Sequence, residues 1–385
     1  MGKLKDFQIV LEKSRKVFLQ GDAIRGQVMM SVVSDGLQNV KGVWLIFHGC
    51  CGVLDAGRRH GVPRKEETYF NACITLFGKG PDALDTQDLN LLPGMHGFPF
   101  EYQLPCQPIP SSFEGEFGYV RYSATATVCL KRALGNKKFS TVEMFSIVGP
   151  TVDLNSVSGL QEGTYSTYEE SGFLGLSGVK TTVKYGIPRQ GFVPGENINI
   201  TGHVNNANGP KHSRVFRAQL VQKIVFNFGF MTVSRKQCLA EASIKVKLKK
   251  GGEAYFTVGP LSIPPVPSSG LPGCNLIDVK HYVKVDDCEG SRAGKFAVTI
   301  GTVPFHEVQH CRQSLAGIHM KDTAAAVAAG GNCETRLPTY EEAIGIVRPA
   351  SVREDSVSGP ADTFVPCYPY FCIPATDPPP SYVKE

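Results

Sequence analysis

Apolar residues in this chain recur at every second position, in runs of eight to ten residues cut short by glycine or proline, and that habit excludes most folds. Tyr69–Leu76 puts Phe70, Ala72, Ile74 and Leu76 on one face. Tyr119–Val128 sets Val120, Tyr122, Ala124, Ala126 and Val128 against Arg121, Ser123, Thr125 and Thr127, and Phe139–Ile147 alternates in the same way. Further strands are predicted at Val179–Tyr185, Asn197–Val204, Val215–Phe230, Ala242–Leu248, Lys280–Val285 and Phe296–Val303. Side chains of a strand point alternately to opposite faces, so this period belongs to sheets with one wet and one buried side. No amphipathic helix of ten or more residues precedes Cys311. Gly at 41 and Pro at 26 of 385 residues favour tight turns. An all-β fold of two tandem immunoglobulin-like antiparallel sandwiches is predicted, because 42% hydrophobic residues can fill two cores of ~150 residues each.

The Gly/Ser/Glu-rich stretch around 155–175 is the natural boundary. The division is 1–155 for the first sandwich, 156–175 for a linker, 176–312 for the second sandwich and 313–385 for a disordered tail. Each half opens alike. An apolar pair leads to Gly21-Asp22 in the first half and to Gly195-Glu196 in the second, and then to a new strand. Glycine supplies the positive φ that such a turn requires.

Charge divides the same way. The tail from Ala316 onward holds five Lys/Arg against nine acids, a net of −4 that leaves +9 on the body, and it holds nine of the 26 prolines. A basic body with an acidic, proline-rich tail points to a binding surface on the body. Arg58, Arg59, Lys131, Arg132, Lys137 and Lys138 are the candidates for contact with an anionic membrane, all of them read as lying in loops. Lys245, Lys247, Lys249 and Lys250 alternate along a strand, where they either form a second such face or guard an edge. No aromatics interleave with these clusters, so nucleic acid is not an expected partner.

The signs of catalysis fail on context. His306-Glu307-Val308-Gln309-His310 spells H-E-x-x-H, which on a helix would offer two zinc ligands and a general base. Here it follows a strand closed by Pro304, and a third ligand at 316 is Ala316. No C-x-x-C occurs among the twelve cysteines, and Gly172–Gly178 lacks the Lys-Ser/Thr of a phosphate loop. A non-enzyme without cofactor or metal is expected. The opening MGKLKDFQIVLEK carries charges where a signal peptide needs its apolar core, so a cytoplasmic protein with reduced thiols is expected.

The run Phe98-Pro99-Phe100-Glu101-Tyr102-Gln103-Leu104-Pro105 is followed by Pro110-Ser111-Ser112-Phe113-Glu114-Gly115 and then by Gly118–Tyr122. Together these resemble the N-terminal domain of an alpha-arrestin, an arrestin domain-containing protein. Gly191–Glu196, Gln222-Lys223 and Ile300-Gly301-Thr302-Val303-Pro304 resemble its C-terminal domain. The resemblance implies two arrestin-like sandwiches and a trafficking adaptor without a catalytic site. It further implies a role in endocytosis and protein transport, with membrane receptor or transporter tails as cargo and recruitment to plasma membrane and endosomes. One alpha-arrestin binds thioredoxin through a loop cysteine, but the matching loop here, Lys249–Glu253, has none. Cys274, in the later Gly-Cys step, is read as a buried strand residue.

The tail ends in Asp377-Pro378-Pro379-Pro380-Ser381-Tyr382, which contains P-P-x-Y. Consecutive prolines hold polyproline II, so docking into the aromatic groove of a WW domain orders little new chain. Pro379, Pro380 and Tyr382 are the expected contacts. Leu337-Pro338-Thr339-Tyr340 is a degenerate second copy, weaker because Leu337 replaces a proline ring. The two tyrosines stand 42 residues apart, roughly 35 Å on a flexible chain, a spacing suited to tandem WW domains. The resemblance points to a HECT-type ubiquitin ligase of the NEDD4 class as their owner. A sorting scaffold that binds vesicle-coat or endosomal partners without ubiquitin is the alternative.

Overall fold

A computed structural model describes residues 4–14, 16–33, 35–54, 64–83, 89–132, 135–171, 180–207, 209–287, 294–306 and 364–371. Two antiparallel sandwiches follow one another along the chain. The first packs a three-stranded sheet of β1 (Leu4–Leu11), β3 (Ala23–Val32) and β7 (Gly94–Gln103) against a larger one. That larger sheet runs β2 (Val17–Leu19), β10 (Gly135–Val148), β9 (Gly118–Arg132), β4 (Leu37–Val53), β5 (Lys65–Gly78), with β6 (Leu89–Leu91) beside β4 and β8 (Phe113–Gly115) beside β9. The second packs β11 (Thr164–Ser171), β12 (Lys180–Ile187), β14 (Asn197–Asn205) and β17 (Glu253–Ser262) against a five-stranded sheet. Its partner sheet runs β13 (Gly191–Phe192), β19 (Gly294–Ile300), β18 (Ile277–Asp287), β15 (His212–Asn227), β16 (Thr232–Leu248).

The alternation predicts the buried faces. Val120, Tyr122, Ala124, Ala126 and Val128 of β9 are all buried, and Tyr122 stacks on Phe70 at 5.7 Å. The Tyr122 hydroxyl donates to Pro110 O at 2.6 Å, so this deeply buried phenol leaves no orphan proton. Burial holds its proton on far above the usual tyrosine range.

The paired turns are built alike. Gly21 has φ +75° and Gly195 φ +95°. Asp22 accepts from the Leu19 N–H at 3.1 Å and Glu196 from the Val193 N–H at 2.9 Å. In each half the short strand before the turn, β2 or β13, pairs in parallel with the last strand of its own sandwich, β10 or β19. One turn chemistry therefore opens both domains.

Two strand boundaries differ from the sequence pattern. The run Val215–Phe230 is not one strand. β15 stops at Asn227, whose Oδ1 accepts from Gly229 N–H at 2.9 Å, and the chain reverses through Gly229 (φ +96°) into β16. β16 therefore begins at Thr232, ten residues before the predicted Ala242. A 3-10 turn, Leu154–Ser156, leads into the stretch read as linker, and that stretch holds β11, which pairs along its length with β12 in the second sandwich.

Candidate interaction surfaces

The joint between the sandwiches is apolar at its centre. Phe117, just before β9, meets Phe226 of β15 edge to face at 5.9 Å, and residues of both sandwiches share one buried cluster. Arg235 caps this pair from above, its guanidinium 4.4 Å from the Phe117 ring and its Nε 3.0 Å from Glu116 Oε2. Across the chain's own connection, Thr302 N–H donates to Val152 O at 2.9 Å and Asn155 Nδ2 to Pro304 O at 3.0 Å.

A third contact is a loop of the second sandwich seated on the first. Gly273 (φ +90°) lies so close to the Pro108–Pro110 backbone that an added Cβ would stand 3.1–3.3 Å from it. Asn275 donates its backbone N–H to Glu67 Oε2 at 3.2 Å and its side-chain amide to Glu67 Oε1 at 2.5 Å. Between them, Cys274 Sγ lies 3.5 Å from Cys51 Sγ of β4. Cys274 is thus not a buried strand residue. It is a half-buried loop residue ahead of β18, because the Gly270–Gly273 turns delay the strand until Ile277.

Part of the tail rests on the same side of the molecule. Residues 364–371 run across both sandwiches. Cys367 N–H donates to Ser146 Oγ at 3.1 Å, and the Tyr368 hydroxyl donates to Ser112 O at 3.0 Å. Phe371 N–H then donates to Pro194 O at 3.1 Å, and its ring packs with Leu154, Val193 and Phe305. The aromatic patch Cys367–Phe371 has a seat on the body. Nothing in the periodicity marks it, because an eight-residue apolar stretch interrupted by Pro366 and Pro369 has no strand or helix pattern to read.

The basic candidates fall in two places. Lys131, Arg132, Lys137 and Lys138 sit on the β9–β10 hairpin, paired in register around its turn (Asn136 opposite Lys131, Gly135 opposite Arg132). They are strand-end residues, not loop residues, and the hairpin gathers four cations at one tip. Lys137 lies 4.7 Å over the Phe139 ring. Arg58 and Arg59 lie outside the described residues, as do Leu337, Pro338, Tyr340, Pro379, Pro380 and Tyr382. Lys245 and Lys247 are exposed on β16, an edge of its sheet, and alternate with the inward Val246 and Leu248, while Lys249 and Lys250 lie just past the strand's end. Charge on an edge strand blocks strand addition by a second chain.

Two clusters of titratable groups were not legible in the sequence. His48, Cys50 and Glu66 bring their donor atoms within 4.8 Å on the outer side of β4 and β5. Burial, and then Glu66, push the Cys50 thiol up to about 11, and Arg121 stands opposite it in register. The three potential donors are a half-buried His, a buried Cys and an exposed Glu, with no fourth donor beside them among the described residues. Of the H-E-x-x-H motif only His306 is described, and its N–H donates to Asn155 Oδ1 at 3.1 Å.

The second cluster is His281, buried between β15 and β19. Gln222 Nε2 stands 3.1 Å from its Nε2 and Ser269 Oγ 2.8 Å from its Nδ1. Gln222 donates to Nε2, Nδ1–H donates to Ser269, and the ring is neutral. Complete burial lowers its pKa to about 3.

Two sandwiches in tandem, of ten and nine strands among the described residues, each opened by the same parallel strand and glycine–acid turn, define an arrestin-type molecule. Residues 7–155 match the family described as Arrestin (or S-antigen), N-terminal domain, and residues 178–305 match Arrestin (or S-antigen), C-terminal domain. The chain belongs to the arrestin family, on its alpha-arrestin side. Arrestin domain-containing protein 1 of Rattus norvegicus is 27% identical over 286 residues, covering 74% of this chain and 61% of the relative. The Homo sapiens protein of that name is 27% identical over 288 residues, with the same coverage of 74% and 61%. Arrestin domain-containing protein 17 of Caenorhabditis elegans is 25% identical over 319 residues, 79% of this chain and 72% of the relative. The chain thus spans about three-fifths of the length of the first two. Among the described residues no helix is long and apolar enough to cross a membrane.

Proposed function

We propose that this protein is a trafficking adaptor. Its sandwiches hold the tail of a membrane receptor or transporter while its P-P-x-Y motifs recruit a NEDD4-type HECT ubiquitin ligase, and the outcome is ubiquitination, endocytosis and transport of the cargo. The observation that carries the reading is Asp377-Pro378-Pro379-Pro380-Ser381-Tyr382 on the tail of an alpha-arrestin body. The body's anchored segment adds support. Phe371 is seated at the joint, and Pro378 follows it by seven residues, at most about 25 Å of chain. A WW domain captured there stays within reach of whatever the sandwiches hold, which raises its effective concentration. The β9–β10 hairpin cations serve as a weak, salt-sensitive contact with the anionic inner leaflet, each worth ~1 kcal/mol near the surface.

Deletion of Pro378–Tyr382 tests the reading in cells. Loss of ligase copurification together with loss of cargo ubiquitination supports the adaptor. Cargo sorting that continues unchanged after the deletion supports the scaffold that binds coat or endosomal partners without ubiquitin.

A further inference from the structure

We infer that Cys51 and Cys274 are an oxidisable dithiol, one thiol from each sandwich, which a hydroperoxide converts to a disulfide that locks the joint. Their sulfurs stand 3.5 Å apart although 223 residues separate them in sequence. A disulfide needs about 2.05 Å, so the sulfurs must approach by about 1.5 Å. The loop bearing Cys274 is held on both sides of it, by Gly273 against Pro108–Pro110 and by Asn275 on Glu67, so the thiols stay opposed.

The environment assigns each thiol a role. Cys274 Sγ accepts from the Ile277 N–H at 3.3 Å and shares a hydrogen bond with Cys51 Sγ at 3.5 Å, which Cys51 donates once Cys274 is ionised. That hydrogen bond from Cys51 is the largest influence lowering the Cys274 pKa, to about 7, and the Tyr69 hydroxyl and the backbone N–H groups of Ile277 and Leu276 add to it against the cost of burial. Cys51 is pushed up as the donor and by its burial. Cys274 is a half-buried residue, whereas Cys51 is fully buried. A thiolate is the reactive form, so Cys274 reacts first.

The chemistry balances with hydrogen peroxide as the co-reactant. The Cys274 thiolate attacks one peroxide oxygen, the O–O bond breaks, and the departing hydroxide takes up a proton to leave as water. Cys274 is then a sulfenic acid. The Cys51 sulfur attacks it, the S–S bond forms as the S–O bond breaks, the Cys51 proton is lost, and a second water leaves. Two thiols supply the two electrons that reduce one peroxide to two waters. Because Cys51 is enclosed beside Cys274, an internal bridge outcompetes mixed disulfides with outside thiols.

The test is a peroxide titration of the full chain, followed by alkylation under unfolding conditions and peptide mapping without reduction. The expected result is a peptide pair joined through Cys51 and Cys274, with their alkylation falling at least tenfold and restored by dithiothreitol. Tm should rise on oxidation in the wild type and not in Cys274→Ser. In Cys51→Ser, a sulfenic acid trapped by dimedone should persist at Cys274. The inference is overturned if both residues remain fully alkylated at peroxide doses that oxidise the exposed Cys73, Cys106, Cys238 and Cys367. It is equally overturned if the mapped bridges join those exposed thiols instead, or if oxidation raises Tm in Cys274→Ser.

Discussion

The carbonyl oxygen of Phe371 lies where a side chain at Gly195 would have to go: a Cβ built on Gly195 would stand 1.9 Å from it. The glycine that lets the second sandwich begin, at φ +95°, is also the floor on which the tail segment is seated. Tail docking and the domain-opening turn therefore share one residue.

A first prediction follows for the tail. Phe371→Ala empties the pocket formed with Leu154, Val193 and Phe305 and should release residues 364–371. Proteolysis within that segment should accelerate tenfold or more, which corresponds to about 1.4 kcal/mol of docking free energy. Gly195→Ala should do the same and also destabilise the turn. Unchanged cleavage in both variants would mean that the segment is not held.

A second concerns the joint. Phe226→Ala removes the ring that meets Phe117 at 5.9 Å and should cost about 3–5 kcal/mol in denaturant unfolding. The cost should appear in both sandwiches, because their buried residues form one cluster. A variant in which the second domain weakens alone would argue for independent units.

A third concerns pH. His281 is neutral in the folded chain down to about pH 3, against an ordinary value of 6.5. The unfolded chain therefore binds the extra proton between those values, and stability falls as pH falls below 6.5. At pH 5 the loss from this one group is about 2 kcal/mol relative to pH 7. Urea unfolding of the wild type and His281→Gln at pH 7 and pH 5 measures it. The variant should show a smaller drop between the two, whatever its absolute stability, and an equal drop would remove His281 as the cause.

These sites were legible to different degrees. The buried face of β9 and the turns at Gly21 and Gly195 follow from local rules, alternation and positive φ, and both are written in consecutive residues. The Asn227–Gly229 reversal was missed because apolar residues on either side, Phe226, Phe228, Phe230, kept the alternation running through the turn. Cys51 and Cys274, Gln222 and His281, and Phe371 and Gly195 are brought together by long-range topology. Neither partner of such a pair carries a local pattern that names the other.

A fourth prediction concerns the hairpin. Replacing Lys131, Arg132, Lys137 and Lys138 by Ser should weaken cosedimentation with phosphatidylserine vesicles at low salt, by tenfold or more. At ~0.5 M salt, where the Debye length is only about 4–5 Å, wild type and variant should converge. Wild-type binding that ignores salt would show these charges to be ordinary solvated residues.

The central claim is that the tail tyrosines recruit a WW-domain ligase. Titration of an isolated NEDD4-type WW domain against the full chain tests it most directly. Tyr382→Ala should lower affinity at least tenfold, since it removes the residue that fills the pocket beside the Pro379-Pro380 ridge, and adding Tyr340→Ala should remove the remainder. If the double variant binds the WW domain as tightly as the wild type, the adaptor account of this tail is wrong.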